Sequence, residues 1–249
     1  MPTEQEVTGM GRGKLLRHRH EHSGTIDHPR AYELFSRLGY AGRRRLVFTQ
    51  LAALAGAGPG ERVLDVGCGT GYLTRRLAPL VAPGGRVVGV DPAPRMIAYA
   101  RHRSPANCVY LVGEGQALDV PGGPFDVVVS SLAVHHIPPG ARETAVREMF
   151  RVLRPGGRLL IAELRPPRRP LVRRLAGLVS GPVSGPVSGP VSGQVSHHGR
   201  GHEPGQAGDP GEAGDPVEAP AALVRGAGFR VQAEGDLWPL LCYVRAVKP

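Results

Sequence analysis

From residue 62 onward the chain alternates short apolar runs with longer amphipathic stretches. Arg62–Val66, Arg86–Val90, Cys108–Val112, Phe125–Ser130 and Arg158–Glu163 are runs dominated by Val and Leu. Such runs fit strands buried on both faces, which lose the apolar–polar alternation of a half-exposed strand. Between them, Gly71–Val81, Ala93–Arg101 and Ala141–Leu153 carry helical spacing. The first and third stop at Pro83-Gly84-Gly85 and Pro155-Gly156-Gly157, because proline and glycine break helices. Upstream, 29–55 reads as helical, with Tyr32, Leu34, Phe35 and Leu38, then Leu46, Val47, Leu51 and Leu54, interrupted at Gly39 and Gly42. Downstream, Val217–Arg225 reads as a helix, and Phe229–Ala233 and Leu240–Val247 as an antiparallel hairpin joined by Asp236-Leu237-Trp238-Pro239 at the sheet edge. This alternation predicts an α/β fold: a doubly wound, mostly parallel sheet with helices on both faces.

Two stretches fall outside the pattern. Residues 1–28 are polar, with Arg17-His18-Arg19-His20-Glu21-His22, and read as a flexible tail. Residues 179–216 begin as a Val-Ser-Gly-Pro repeat and decay into Gly, Pro and acidic residues. A Pro-Gly repeat cannot keep helical hydrogen bonds, and a period of four is not the collagen triplet. That stretch is expected to be a disordered or extended low-complexity insertion, after a short helix at Leu171–Leu178. A single domain is then expected from 29–178 and 217–249.

Composition narrows the classes. A chain of 249 residues suffices for one α/β core. The net charge of +10 invites a nucleic-acid reading, yet Lys occurs only at Lys14 and Lys248. Arg-for-Lys usage of this kind follows from a GC-biased coding sequence, and no basic module with interleaved aromatics is present. Nucleic acid is therefore not an expected partner. Cys68, Cys108 and Cys242 have neither disulfide nor metal spacing. His18, His20 and His22 alternate in a tail where solvation is the simpler reading, so no metal is expected. Without a signal core or a bilayer-length apolar run, the chain is expected in the cytoplasm and away from membranes. The oligomeric state is not legible.

The candidate chemistry begins at Val63-Leu64-Asp65-Val66-Gly67-Cys68-Gly69-Thr70-Gly71, where the first strand turns into the first helix. Alternate glycines let a ligand lie against the main chain at the positive end of a helix. The spacing Gly-x-Gly-x-Gly departs from the dinucleotide fingerprint Gly-x-Gly-x-x-Gly, because position 72 is Tyr. Asp91 closes the second strand, where a carboxylate accepts both ribose hydroxyls. Pro92 is grouped with it. The rival role for Asp91 is to cap the following helix.

With these residues the chain resembles the class I S-adenosylmethionine-dependent methyltransferases, in particular the branch of small-molecule and quinone methylases, over about 29–165 and again over 217–249. The resemblance implies S-adenosylmethionine as cofactor and an antiparallel last strand in a seven-stranded sheet. It places Asp65, Gly67, Cys68, Gly69 and Gly71 at the methionine part of the cofactor and Asp91 at the ribose. Glu114-Gly115 falls at the adenine, where Asp is usual, and Ser130 on the cofactor and substrate side. Leu153 to Leu159 matches the turn into the fifth strand. Phe35 and Leu38 would belong to a helical lid.

The implied reaction is a displacement at a methyl carbon, for which alignment supplies most of the acceleration. His135 and His136, beyond the fourth strand, are the candidate bases, against the simpler role of packing the turn before Pro138-Pro139. Tyr32, Tyr40 and Trp238 are candidates for an acceptor pocket, against plain core packing. The expected acceptor is a small molecule. Three alternatives compete with it. An NAD-dependent oxidoreductase lacks support from the glycine spacing and from any Tyr–Lys pair. A nucleic-acid methyltransferase lacks its motif, since Ser130-Ser131-Leu132-Ala133 stands where Asp/Asn-Pro-Pro-aromatic would. A non-catalytic cofactor-binding protein shares the same motifs.

Overall fold

Every apolar run becomes a strand in the computed structural model, which describes residues 28–40, 42–164, 220–238 and 241–249. The elements in chain order are α1 (Pro29–Gly39), α2 (Arg44–Ala55), β1 (Arg62–Val66), α3 (Thr74–Val81), β2 (Arg86–Asp91), α4 (Pro94–Arg101) and β3 (Cys108–Val112). They continue with β4 (Phe125–Ser131), a 3-10 turn at Val134–His136, α5 (Pro139–Val152), β5 (Leu153–Leu164), α6 (Pro220–Gly226), β6 (Arg230–Trp238) and β7 (Leu241–Val247). The expected tail except His28, the Leu171–Leu178 helix and the 179–216 insertion lie outside the described residues.

The seven strands lie in the order β3-β2-β1-β4-β5-β7-β6. The first five run parallel; β7 pairs antiparallel with β5, and β6 antiparallel with β7. The chain crosses from one half of the sheet to the other between β1 and β4. Ligands bind in such sheets outside the carboxyl ends of the strands at that switch point.

Successive strand residues face opposite sides, and each side has its own core. Leu64, Val66, Val88, Val90, Val128 and Ile161 pack on one side with Met149 of α5 and Val224 of α6. Val63, Val87, Val127, Val129 and Leu160 pack on the other with Leu51 of α2 and Leu77 of α3. Val127, Val128 and Val129 have no exposed surface at all, which is why the β4 run shows no polar alternation. Each fully buried Val contributes roughly 1.5–3 kcal/mol of apolar burial.

Three boundaries differ from the sequence reading. Helix α3 starts at Thr74, three residues after Gly71, because Gly71 has φ +72° and cannot enter a right-handed helix. Strand β5 starts at Leu153, which pairs with Phe125; the ladder resumes only at Arg158, with the Pro155-Gly156-Gly157 turn bulged between. The C-terminal hairpin is tighter than expected, since Asp236 and Trp238 still pair with β7.

Candidate active site

The floor is built at the ends of β1 and β2. Gly67, Gly69 and Gly71 all have positive φ, so the chain doubles back after Val66 without entering a helix. The Gly67 and Cys68 amides both donate to the Val90 carbonyl, at 2.8 and 3.0 Å. Asp91 fastens the same turn from its other side. Its Oδ2 accepts from the Gly69 amide at 2.8 Å and its Oδ1 from the Ala93 amide at 2.9 Å. The expected helix-capping role of Asp91 is not what the structure shows: the cap residue of α4 is Ala93, without a side-chain cap bond, and Asp91 instead closes the turn two residues ahead of the helix, while each of its oxygens keeps a second lone pair. Burial raises the Asp91 carboxyl against the pull of these two amides.

Gly67 and Gly71 are required for different reasons. A Cβ on Gly67 would overlap the Ala133 side chain, and one on Gly71 would overlap the Tyr110 ring. A Cβ on Gly69 would meet no atom within 4 Å.

A cavity of about 310 Å³ opens over this floor. Gly67, Cys68, Gly69, Asp91, Pro92, Glu114, Gly115, Ser130 and His136 line it, as do Tyr32, Arg44, Phe48, Thr70 and Tyr72. Of the residues singled out from sequence, Asp65, Gly71 and His135 do not line it. Asp65 lies beneath the floor, where Thr74 Oγ1 donates to its Oδ2 at 2.6 Å and ties β1 to the start of α3. Its Oδ1 is buried without a partner, and burial pushes the carboxyl up to about 7. Gly71 is packed against Tyr110. Burial also drives the Cys68 thiol well above its ordinary value, which leaves its main chain as the part that serves the turn. Glu114 Oε2 accepts from Gln116 Nε2 at 2.6 Å. Ser130 Oγ is buried in the wall with no hydrogen-bond partner among the described residues.

The loop after β4 forms the next wall. Leu132 sits at φ +56°, the sole non-glycine residue with positive φ among the described residues. A buried carboxylate, Glu163 at the end of β5, organises the 3-10 turn beyond it. Its Oε1 accepts from the Ala133 and Val134 amides at 3.2 and 2.8 Å, and its Oε2 faces His135 Nδ1 at 2.6 Å. Arg142 closes the loop from α5, donating to the Ile137 carbonyl at 2.9 Å and the His135 carbonyl at 3.1 Å. His135 and His136 stack with centroids 4.0 Å apart. Only His136 reaches the cavity, and burial with the neighbouring His135 lowers it to about 4. It is a neutral imidazole at pH 7.

The roof comes from α1, α2 and the start of the α3 turn. Phe48 meets Tyr72 edge-on at 5.0 Å. The Tyr72 ring lies between two guanidinium groups, Arg44 at 3.7 Å and Arg76 at 3.8 Å. Glu33 of α1 accepts from Arg44 and from Thr70 Oγ1, so the roof is tied to the glycine turn. Tyr32 reaches the cavity, whereas Tyr40 packs against Phe48 at 5.7 Å and does not. The side chains of Phe35, Leu38 and Trp238 lie outside the described residues.

Sequence reasoning passes over Glu33, Arg44, Thr70 and Glu163. A signal exists for Glu163, an acid closing a strand at the same sheet edge as Asp91. The other three have none: their meeting depends on how α1 and α2 fold over the sheet.

Residues 63–157 match a family described as a methyltransferase domain. The chain is similar to the ubiquinone/menaquinone biosynthesis C-methyltransferase UbiE of Ectopseudomonas mendocina, 36% identical over 146 residues, 57% of this chain and 56% of that protein. It spans about half the length of the curated relatives it matches. Among solved structures it is similar to an S-adenosylmethionine-dependent methyltransferase of Aquifex aeolicus, with TM-score 0.62 and 19% identity over 90% of this chain and 100% of that one. It is also similar to the N-methyltransferase NodS of Bradyrhizobium japonicum in complex with S-adenosyl-L-homocysteine. There the TM-score is 0.55, with 18% identity over 84% of this chain and 87% of that one. The structural likenesses bear on the fold.

Proposed function

We propose that this chain is a class I S-adenosylmethionine-dependent methyltransferase and that the cavity at the switch point transfers a methyl group to a small planar acceptor, a reading supported by the match to a methyltransferase-domain family and the likeness to curated methyltransferases. The observation that carries this reading is the make-up of the cavity. One wall holds the glycine turn, Asp91 and Glu114, and another holds His136 and the aromatic side chains Tyr32, Phe48 and Tyr72.

Three features fit the cofactor. A volume of about 310 Å³ lies in the range of small-molecule sites. Ser130 Oγ is a buried hydroxyl awaiting a partner. Asp91 retains lone pairs beside a turn in which every second residue is glycine. In this reading Asp91 accepts the ribose hydroxyls, Gly67, Cys68 and Gly69 present bare main chain, and Pro92 packs beside Asp91. Glu114 and Gly115 receive the adenine, and Ser130 faces the reacting end. Asp65 and Gly71 act from beneath, by holding the turn in shape. When bound, S-adenosylmethionine supplies a methyl group already activated by a positive sulfur.

The chain's own part is alignment and, where the acceptor must lose a proton, its removal. His136 meets the cavity as a free base at pH 7. Glu163 opposite His135 Nδ1 holds the His135 ring in place beside His136.

The aromatic roof and the likeness to a quinone C-methyltransferase make a demethylated quinol ring the first acceptor to try. No described helix is long and apolar enough to cross a membrane. The three free cysteines favour a reducing compartment, the cytoplasm. The test is incubation with S-adenosylmethionine carrying a labelled methyl group, a panel of quinols and phenols, and separately DNA and RNA. Label is expected in the small-molecule fraction. Label in nucleic acid alone would refute the acceptor class.

A further inference from the structure

The two faces of the sheet are covered by helices of different charge. Helices α2 and α3 cover one face, and α4 packs on Tyr110 and Cys108, the latter also touching the α2 and α3 side. None of these three helices contains an acidic residue. Helix α5 covers the other face, and there Glu143 and Glu148 pair with Arg147 and Arg151. A coding preference for arginine acts on every helix alike, so it does not explain acids on one face only. The basic excess is densest where α1, α2 and α3 meet. The Glu33–Arg44 ion pair holds α1 against the start of α2, and Glu33 is the one acidic residue of α1, α2 and α3. Arg45 is exposed beside that pair. Burial, and then the nearby charges of Arg75, Arg44 and Arg45, hold the Arg76 guanidinium of α3 below its ordinary pKa. Arg30, four residues before Leu34, shares one side of α1 with it.

Exposed leucines stand among these arginines. Leu34 on α1 is 58% exposed and Leu46 on α2 is 55% exposed, more than any other large apolar side chain among the described residues. Leu46 directly follows Arg45. A nucleic-acid face asks for outward aromatics on which bases stack, but Tyr32 of α1 and Phe48 of α2 turn into the cavity. Leucine beside arginine suits a lipid headgroup layer, where the apolar side chain enters and the guanidinium meets phosphate. We infer that the exposed side of α1 and α2, with Arg76 at its rim, docks on an anionic membrane surface. Its partner is the phosphate headgroups of an acidic phospholipid leaflet. Lying on a surface needs no spanning helix, and no described helix is one. Docking of this kind replaces the expectation that the chain keeps away from membranes. Helices α1 and α2 also roof the cavity, so docking sets that roof against the leaflet. The inference holds whether or not the cavity transfers methyl groups. The competing reading is a solvated basic face, which would bind no vesicle.

Flotation of the full chain with lipid vesicles separates the two. Vesicles of phosphatidylcholine mixed with phosphatidylglycerol should carry the chain upward at low salt, and vesicles of phosphatidylcholine alone should bind it at least ~10-fold less. Leu46→Ser leaves the charge unaltered and is expected to weaken binding to the mixed vesicles about 5-fold. Arg45→Gln is expected to weaken it about 5-fold as well. Leu34→Ser and Arg30→Gln, on α1, repeat the comparison should an α2 variant fail to fold. Arg147→Gln removes the same charge from α5, on the opposite face, and should leave binding unchanged. Equal binding to both kinds of vesicle, or binding to neither, would overturn the inference. A loss in Arg147→Gln as large as that in Arg45→Gln would overturn it too, since net charge rather than one face would be responsible. Indifference to both Leu46→Ser and Leu34→Ser would do the same, and tighter binding to duplex DNA would then identify a nucleic-acid face.

Discussion

The floor and the roof of the cavity are built in opposite ways. The floor is mostly main chain: three glycines at positive φ, two amides on the Val90 carbonyl, and one carboxylate that clamps the turns after β1 and β2. The roof is side chain: Tyr72 between two arginines, Phe48 at its edge, and Glu33 linking Arg44 to Thr70. Main-chain geometry tolerates little change, because a wrong Cβ or a lost carboxylate has no flexible neighbour to absorb it. A side-chain roof can be rewritten residue by residue. A fold of this design keeps one ligand fixed while the other is free to vary.

The largest effect is expected in the floor. Gly67→Ala sets a Cβ onto Ala133 at φ +74° and should destabilise by about 3 kcal/mol. Gly69→Ala, at φ +51° with open space around it, should cost only about 1 kcal/mol. Denaturant unfolding of the pair checks this, and equal losses would show that the turn is not packed as described. Next comes Asp91→Ala. It removes the acceptor for the Gly69 and Ala93 amides together with the proposed ribose contact. Affinity for S-adenosylmethionine should fall roughly 100-fold, and an unchanged affinity would take Asp91 out of the site.

Asp65 and His136 sharpen the contrast through pH, since the same burial acts on them with opposite sign. Burial raises Asp65 from 3.8 to about 7. The native chain then holds the proton more tightly, and this residue's contribution to stability is lost as pH rises through that window. Burial and His135 lower His136 from 6.5 to about 4. Here the unfolded chain holds the proton more tightly, so its contribution is lost as pH falls from 6.5 towards 4. Relative to the unaltered chain, Asp65→Asn should gain stability as pH rises from about 4 to about 7, and His136→Gln should gain in the reverse direction. Unfolding free energies across that range decide it; two parallel curves would contradict the burial argument. The smallest effect belongs far from the cavity. Arg147→Ala breaks an exposed pair with Glu143 on α5 and should change stability by less than about 0.5 kcal/mol.

The same division explains what can be read in the sequence. The strands are legible because burial on both sheet faces leaves an unbroken apolar run, as in Val127-Val128-Val129. The floor is legible because it is local: Gly67 to Gly71 are contiguous, and Asp91 closes the neighbouring strand. The start of α3 is misplaced in the sequence because Gly71 looks like a helix opening until its φ is known. Asp65 reads as part of the cofactor surface, yet its partner is Thr74, nine residues on. The roof is illegible because Glu33, Arg44, Thr70 and Tyr72 meet only after two helices dock. Glu163 and His135 are 28 residues apart and join through the pairing of β4 with β5.

The roles given to Asp91, Glu114 and His136 all require that the floor hold S-adenosylmethionine. Titration of the unaltered chain in a calorimeter with S-adenosylmethionine, and in parallel with NAD, tests that most directly. One molecule of S-adenosylmethionine should bind per chain, with no heat from NAD. Binding of NAD with none of S-adenosylmethionine would contradict all three roles at once.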